Sequence, residues 1–299
     1  MDRIVECVPN FSEGRDEGMV TSIADEIRKE DGIKVFDVEM DASHNRSVIT
    51  FVGNPEGCRD AAFNAVRKAS ELIDMRAHEG EHPRIGATDV VPFVPISGVT
   101  MDECIGLAKE LGSRIAEELK IPVYLYEHAA TTPERKNLAF IRRGEYEGLR
   151  EAIRSDPERG PDYGPSELHP TAGATVVGAR EFLIAYNVYL DTNKKGIAQK
   201  IARAIRESSG GLKFVRALGF YIEERDMAQV SMNLVNFRST PVHKVMEAIR
   251  GECDKLGVEV VSSEVVGLVP QEALMDPAVF YLKLQDFDKN QIIENRLRE

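Results

Sequence analysis

Two histidines four residues apart open the chemical reading of this chain. Met75-Arg76-Ala77-His78-Glu79-Gly80-Glu81-His82-Pro83-Arg84-Ile85-Gly86 is its densest polar run, and His78 to His82 satisfies HExxH. That pattern holds zinc when both imidazoles share one helical face. Here Gly80 interrupts the motif and Pro83 follows the second His, and a residue before proline is driven out of helical geometry. His82 is therefore expected beyond any helix, presented on a turn, where an imidazole near its ordinary pKa serves as general acid or base. The competing reading is a polar helix end with solvated charges.

Three other stretches offer polar chemistry. Asp162-Tyr163-Gly164-Pro165-Ser166-Glu167-Leu168-His169-Pro170-Thr171-Ala172-Gly173-Ala174-Thr175 lies in a Gly- and Pro-rich segment. Its glycines allow backbone to approach a flat ligand closely, and an ordered interdomain linker would look the same. It is neither a dinucleotide fingerprint nor a P-loop. Val8-Pro9-Asn10-Phe11-Ser12-Glu13-Gly14 turns polar just before a helix, with Ser12 as the expected N-cap. Asp41-Ala42-Ser43-His44-Asn45-Arg46 separates two strands, and Arg46 presents a fork that suits a carboxylate. These residues alone describe an α/β enzyme with a histidine acid/base.

The elements that position them follow from periodicity. Ile4–Val8, Lys34–Val38 and Val48–Val52 read as strands. Glu17–Lys29 and the run from Ala61 to Ile73 carry apolar residues at helical spacing. The strand beginning Val90-Val91-Pro92-Phe93-Val94-Pro95 is expected at a sheet edge or functional rim because of its prolines. A helix opens at Thr100 with Glu103 three residues on, a capping box, and runs to Leu119, before a strand over Ile121–Tyr126. Ala129–Glu151 mixes turns with short helical patches, and Ser155–Gly178 is the least regular segment. The grammar then repeats: strand Phe182–Tyr189, helix Lys194–Glu207, strands Leu212–Tyr221 and Ala228–Val235, helix Val242–Cys253, strand Val258–Val261. Each half spells β-α-β-β-α-β. The expected fold is α/β (α+β): two similar ferredoxin-like βαββαβ subdomains, 1–180 and 181–299, with a ligand cleft between them.

Composition narrows the partners. The 299 residues hold 38 Lys and Arg against 50 Asp and Glu, a net charge of −12 that does not attract a phosphate backbone. No apolar run approaches the ~20 residues needed to span a bilayer, and Met1-Asp2-Arg3 leads straight into strand-like sequence, so a cytoplasmic protein is expected. Cys7, Cys58, Cys104 and Cys253 are scattered without a CxxC pair and read as reduced thiols.

Taken together, VECVPNFSEG, NRSVITFVG, LIDMRAHEGEHPRIGATDVVPF, DECIGLAKELGSRIAEEL, PVYLYE, GEYEGL, DYGPSELHPTAGATVVGAREFLIAYNVYL, AQVSMNLVNF and VVGLVPQEALMD resemble, in order and over nearly the whole chain, the glutamate formimidoyltransferase family. That family includes the formimidoyltransferase part of the bifunctional formimidoyltransferase-cyclodeaminase. The resemblance implies transfer of a formimidoyl group from N-formimidoyl-L-glutamate to N5 of tetrahydrofolate, in histidine degradation. It implies tetrahydrofolate as co-substrate, no metal, His82 as catalytic acid/base, and a folate loop over Gly164, Pro165, Ser166, Glu167, Leu168, His169, Pro170, Thr171, Ala172 and Gly173. Arg46 and Arg84 become candidates for the glutamate carboxylates, Glu39 and Asp41 for orienting His82 or stabilising an amidinium, and Asn10 joins the site. Glu39 stands where relatives more often carry Asp, and Glu167 and His169 where they carry uncharged residues. A homodimer is implied. So is a separate cyclodeaminase acting downstream, since this chain ends at Glu299. The alternatives are formyl transfer between 5-formyltetrahydrofolate and glutamate, and a folate-binding protein without turnover.

Overall fold

A computed structural model describes residues 3–296; Met1-Asp2 and the last three residues of the expected second subdomain lie outside them. The chain divides into two compact units between Arg180 and Glu181.

The first unit begins with a broken strand, β1 (Ile4–Cys7) and β2 (Asn10–Phe11), then α1 (Glu17–Arg28), β3 (Lys34–Asp41), β4 (Arg46–Gly53), α2 (Pro55–Leu72) and β5 (Thr88–Ser97). β1 and β2 pair antiparallel with β4 on one side and β5 on the other, and β3 pairs with the outer side of β4. This is the ferredoxin-like strand order expected of βαββαβ. The unit then goes further. After α3 (Met101–Arg114), a π-turn over Ile115–Leu119 and β6 (Val123–Glu127) come α4 (Leu138–Ile141), α5 (Glu145–Ser155) and β7 (Thr175–Ala179). β7 adds parallel to β5, and β6 parallel to β7. The fourteen-residue helix at Met101 does carry its capping box, with Thr100 and Glu103 closing on one another.

Two expectations are corrected here. β5 is an interior strand, not an edge. The Pro92 carbonyl faces the break between β1 and β2, taking the Val8 N–H at 3.3 Å, so the donor that proline lacks would have pointed at the same gap. Pro95 sits beside the register shift at Ile4/Val5. The prolines are tolerated because the neighbouring ladder is already interrupted. The irregular 155–178 segment likewise ends in β7, a fully buried strand whose short apolar run carries no alternation.

Strand alternation divides the core. Val91 and Phe93 of β5, Val123 and Leu125 of β6, and Val177 and Ala179 of β7 join Ile23, Ile27, Phe63 and Leu111 beneath the helices. The intervening Val90, Tyr124, Tyr126 and Val176 pack on Ile141, Leu149 and Ile153 instead, so α4 and α5 cover the other face at that end.

The second unit has β8 (Ile184–Leu190), α6 (Lys195–Ile205), β9 (Val215–Ile222), β10 (Met227–Leu234), α7 (Val242–Leu256) and β11 (Val260–Val266). Its sheet order, β11-β8-β10-β9, is antiparallel throughout. That is the same strand order as the core of the first unit. α8 (Gln271–Leu282), where the sequence signalled no helix, follows it.

Candidate functional site

α2 ends at Leu72, so the polar run after it is a loop, and the HExxH residues never share a helical face. The loop is tied to the tip of the β3–β4 hairpin by Asn45. That residue is left-handed, with φ +48°, a conformation Asn adopts more readily than most residues. Its side chain accepts the Gly14 N–H at 3.0 Å and donates to the Glu79 carbonyl at 2.9 Å. A methyl group on Gly80 would lie 2.8 Å from the Asn45 Cβ, so only glycine lets the loop close on the hairpin.

Both histidines are committed to protein partners. His78 donates from Nε2 to the Asn45 carbonyl at 3.0 Å and accepts at Nδ1 from the Arg84 Nε at 3.3 Å, which fixes one neutral tautomer. Burial lowers its pKa. His82 accepts at Nε2 from Arg46 Nη1, 3.1 Å away, because a guanidinium can only donate. Burial first, then the charges of Arg142 and Arg46, push the His82 imidazole down to about 2. His82 is thus a neutral base whose lone pair is already aimed at a donor.

Behind it lies a pair that the sequence did not single out. Arg142, at the end of α4, is ion-paired with Asp89 of β5. Asp89 is 1% exposed and also accepts the Ile85 N–H at 2.9 Å. The signal for Asp89 was an acidic residue at the head of a buried apolar strand; Arg142 had none.

Other expected residues have different duties. Arg84 is 7% exposed, and its Nη1 and Nη2 bond Glu145 at 2.8 Å and Glu147 at 2.9 and 2.7 Å. Its fork is filled by the protein, which sets it apart from Arg46 as a carboxylate receiver. Asp41 takes the His44 amide at 3.0 Å and the His44 ring at 2.6 Å, not His82. Glu39 is half-buried on β3, its pKa raised by burial and by neighbouring Asp37. Asn10 donates to the Val8 carbonyl at 3.1 Å across the strand break. Ser12 does not cap α1: it is buried and donates to the Gly86 carbonyl at 2.8 Å, while Asp16 caps the helix through Met19 N.

The 164–173 loop has two parts. Thr171, Ala172 and Gly173 are stitched to the histidine loop: Met75 N donates to Thr171 O at 2.8 Å, Ala87 N to Ala172 O at 2.9 Å, and Ala174 N to Ile85 O at 3.0 Å. Gly173 has φ +72°, and a Cβ there would meet the Ile85 carbonyl at 2.5 Å, so the crossing requires glycine. Gly164, Pro165, Glu167, Leu168, His169 and Pro170 instead line a cavity of about 600 Å³ with Tyr163, Ser113, Ala116, Glu117 and Lys120. Ser166 is exposed and outside that lining. His169 uses Nδ1 to accept the Ala172 amide at 3.0 Å, shaping the turn. Neither His82, Arg46 nor Arg142 borders the cavity. Among the described residues no group of three or more His, Cys, Asp or Glu is placed to hold a metal ion, and no helix is long and apolar enough to cross a membrane.

Comparison with known proteins places these features in one family. The formiminotransferase domain, N-terminal subdomain, matches residues 4–180, and the formiminotransferase domain matches residues 185–297. The chain is 52% identical over 298 residues to glutamate formimidoyltransferase of Thermoplasma acidophilum, covering 99% of this chain and 98% of that protein. It is 49% identical to glutamate formimidoyltransferase of Streptococcus pyogenes serotype M1, covering 99% of each. Against formimidoyltransferase-cyclodeaminase of Rattus norvegicus it is 48% identical, covering 99% of this chain and 57% of that protein. The chain belongs to the formiminotransferase family of transferases.

Proposed function

We propose that this protein transfers the formimidoyl group of N-formimidoyl-L-glutamate to N5 of tetrahydrofolate, with His82 moving the proton. The observation that carries the reading is the 3.1 Å contact from Arg46 Nη1 to His82 Nε2. It puts an unprotonated imidazole nitrogen beside a guanidinium suited to a carboxylate. N5 attacks the formimidoyl carbon and the new C–N bond forms. N5 then gives its proton to His82 Nε2, and the imidazolium returns a proton to the glutamate nitrogen as its C–N bond breaks. One imidazole serves both steps.

The cavity at Gly164–Pro170 supports the folate half of the reading. About 600 Å³ is within the range of small-molecule sites. Ala116, Leu168, Pro165 and Pro170 supply apolar walls, and Lys120 supplies a cation for an acidic tail in a chain of net charge −12. Thr171–Ala174 join this cavity to the histidine loop by backbone hydrogen bonds.

The test is to incubate the purified protein with both substrates and to follow formimidoyltetrahydrofolate and free glutamate by mass spectrometry. Transfer by wild type, lost in His82→Ala with tetrahydrofolate binding retained, is the expected result. Tetrahydrofolate binding without transfer would redirect the assignment to the formyl donor or to a binding-only protein. A fully active His82→Ala would remove His82 from the mechanism.

A further inference from the structure

Arg46 is half-buried, yet among the described residues no carboxylate stands within ion-pairing distance of it; its one hydrogen-bonded side chain is His82. An unpaired, partly desolvated guanidinium is costly unless an anion arrives. Arg142 stands close enough to push the charge of both Arg46 and His82. Its Nη2 is taken by Asp89, but its Nε is buried with no hydrogen-bond partner. Two guanidiniums therefore bear on one imidazole, and only Arg142 is ion-paired, with Asp89. That excess of positive charge has a stated chemical complement: a small carboxylate.

We propose that Arg142, held in place by Asp89, forms with Arg46 a two-arginine receiver for a carboxylate of the amino-acid substrate, and that the arriving carboxylate converts His82 from an acceptor of the Arg46 hydrogen bond into the acceptor of the substrate proton. This rests on the formimidoylglutamate reading above and assigns what recognises that substrate. A carboxylate drawing Arg46 Nη1 to itself frees the His82 Nε2 lone pair and offsets the positive charge of Arg142 and Arg46 that opposes protonation. The base is weak until the substrate is seated, which ties proton transfer to occupancy.

The charged groups facing His82 are Arg46 and His44 from the β3–β4 hairpin, His78 from its own loop and Arg142 from α4. Asp89 of β5, with Glu39 and Asp41 of β3, acts through Arg46. The two guanidiniums carry fixed positive charge beside the imidazole, so an arriving carboxylate has a direct effect on it.

Glutarate, a dicarboxylate with no amine to react, is the probe. Histidine-labelled protein is titrated by NMR with and without glutarate, for wild type, Arg142→Lys and Arg46→Lys. Arg142→Lys keeps a cation on Asp89 and loses the fork, and the dispersion of each spectrum reports folding. In wild type, saturating glutarate is expected to raise the His82 titration midpoint by at least one pH unit. In Arg142→Lys the glutarate affinity is expected to fall tenfold or more, with the KM for formimidoylglutamate rising and that for tetrahydrofolate unchanged. Undiminished glutarate binding by Arg142→Lys overturns the proposal, as does a His82 midpoint unmoved by bound glutarate or a wild type that binds none. A glutarate-dependent shift in a protein that transfers no formimidoyl group would keep the receiver and remove the transfer reading. Transfer without such a shift would do the reverse.

Discussion

Arg46 and His82 meet nitrogen to nitrogen, Nη1 to Nε2, at 3.1 Å. Since guanidinium carries no acceptor, the contact dictates the state of the imidazole: Nε2 is bare and Nδ1 carries the ring proton. The hairpin and the loop that hold the two residues are locked by Asn45, so the relationship is a product of backbone architecture as much as of charge.

That state has a pH signature. His82 titrates near the ordinary histidine value of ~6.5 when unfolded and at about 2 when folded. The unfolded chain therefore binds a proton first, and this contribution to stability is complete above pH 6.5 and erodes as pH falls toward 2. His82→Gln removes it. Between pH 6.5 and 5 wild type should lose about 2 kcal/mol relative to His82→Gln, at roughly 1.4 kcal/mol per pH unit. Urea titrations at both pH values measure the difference; parallel losses would contradict the buried neutral imidazole. His78 and His169, shifted in the same direction, remain in both proteins and cancel.

Arg84 is a structural arginine by its contacts. Arg84→Ala removes charge-assisted bonds to Glu145 and Glu147 and the support of His78 Nδ1, with an expected cost of about 2 kcal/mol. Because both carboxylates are well exposed, the loss stays below that of breaking a fully buried pair. Thermal unfolding is the measurement. The affinity for glutarate should be unchanged in Arg84→Lys, in contrast to Arg142→Lys.

Gly86 and Gly173 cross with almost no space between them. A Cβ on Gly173 would meet the Gly86 Cα at 3.0 Å and the Ile85 carbonyl at 2.5 Å, from a φ of +72°. Gly173→Ala should cost about 2–3 kcal/mol through strain and displacement together. It should also lower transfer activity, because the histidine loop hangs on this crossing. An alanine variant with wild-type Tm would show that the crossing yields.

Ser12 and Asp16 separate two roles that look alike in sequence. Asp16→Ala should fray the start of α1, at about 1 kcal/mol, and deprotect the Met19 amide in hydrogen exchange. Ser12→Ala should leave that amide protected while costing about 1 kcal/mol from the lost bond to Gly86 O. Equal effects on Met19 would restore Ser12 as the cap.

What the sequence by itself determined was everything carried by local periodicity and local chemistry. The 2- and 3.6-residue patterns delivered the split βαββαβ order of both units, the Thr100–Glu103 box delivered the start of α3, and Gly80 with Pro83 placed His82 off any helix. What tertiary structure alone decided was pairing at long range. β7 joined the sheet although nothing alternates within it, since a strand buried on both faces has no polar side to show. β5 lies inside despite its prolines, because the missing donors meet an interruption in a neighbour that is some 80 residues away in the chain. The partners of the arginines belong to the same class. Arg46, Arg84 and Arg142 are equivalent as letters. One faces an imidazole, one two glutamates, one a buried aspartate, and only the packing of hairpin, loop and α4 assigns those partners, because charge is recognised across a few ångströms of space and not along the chain.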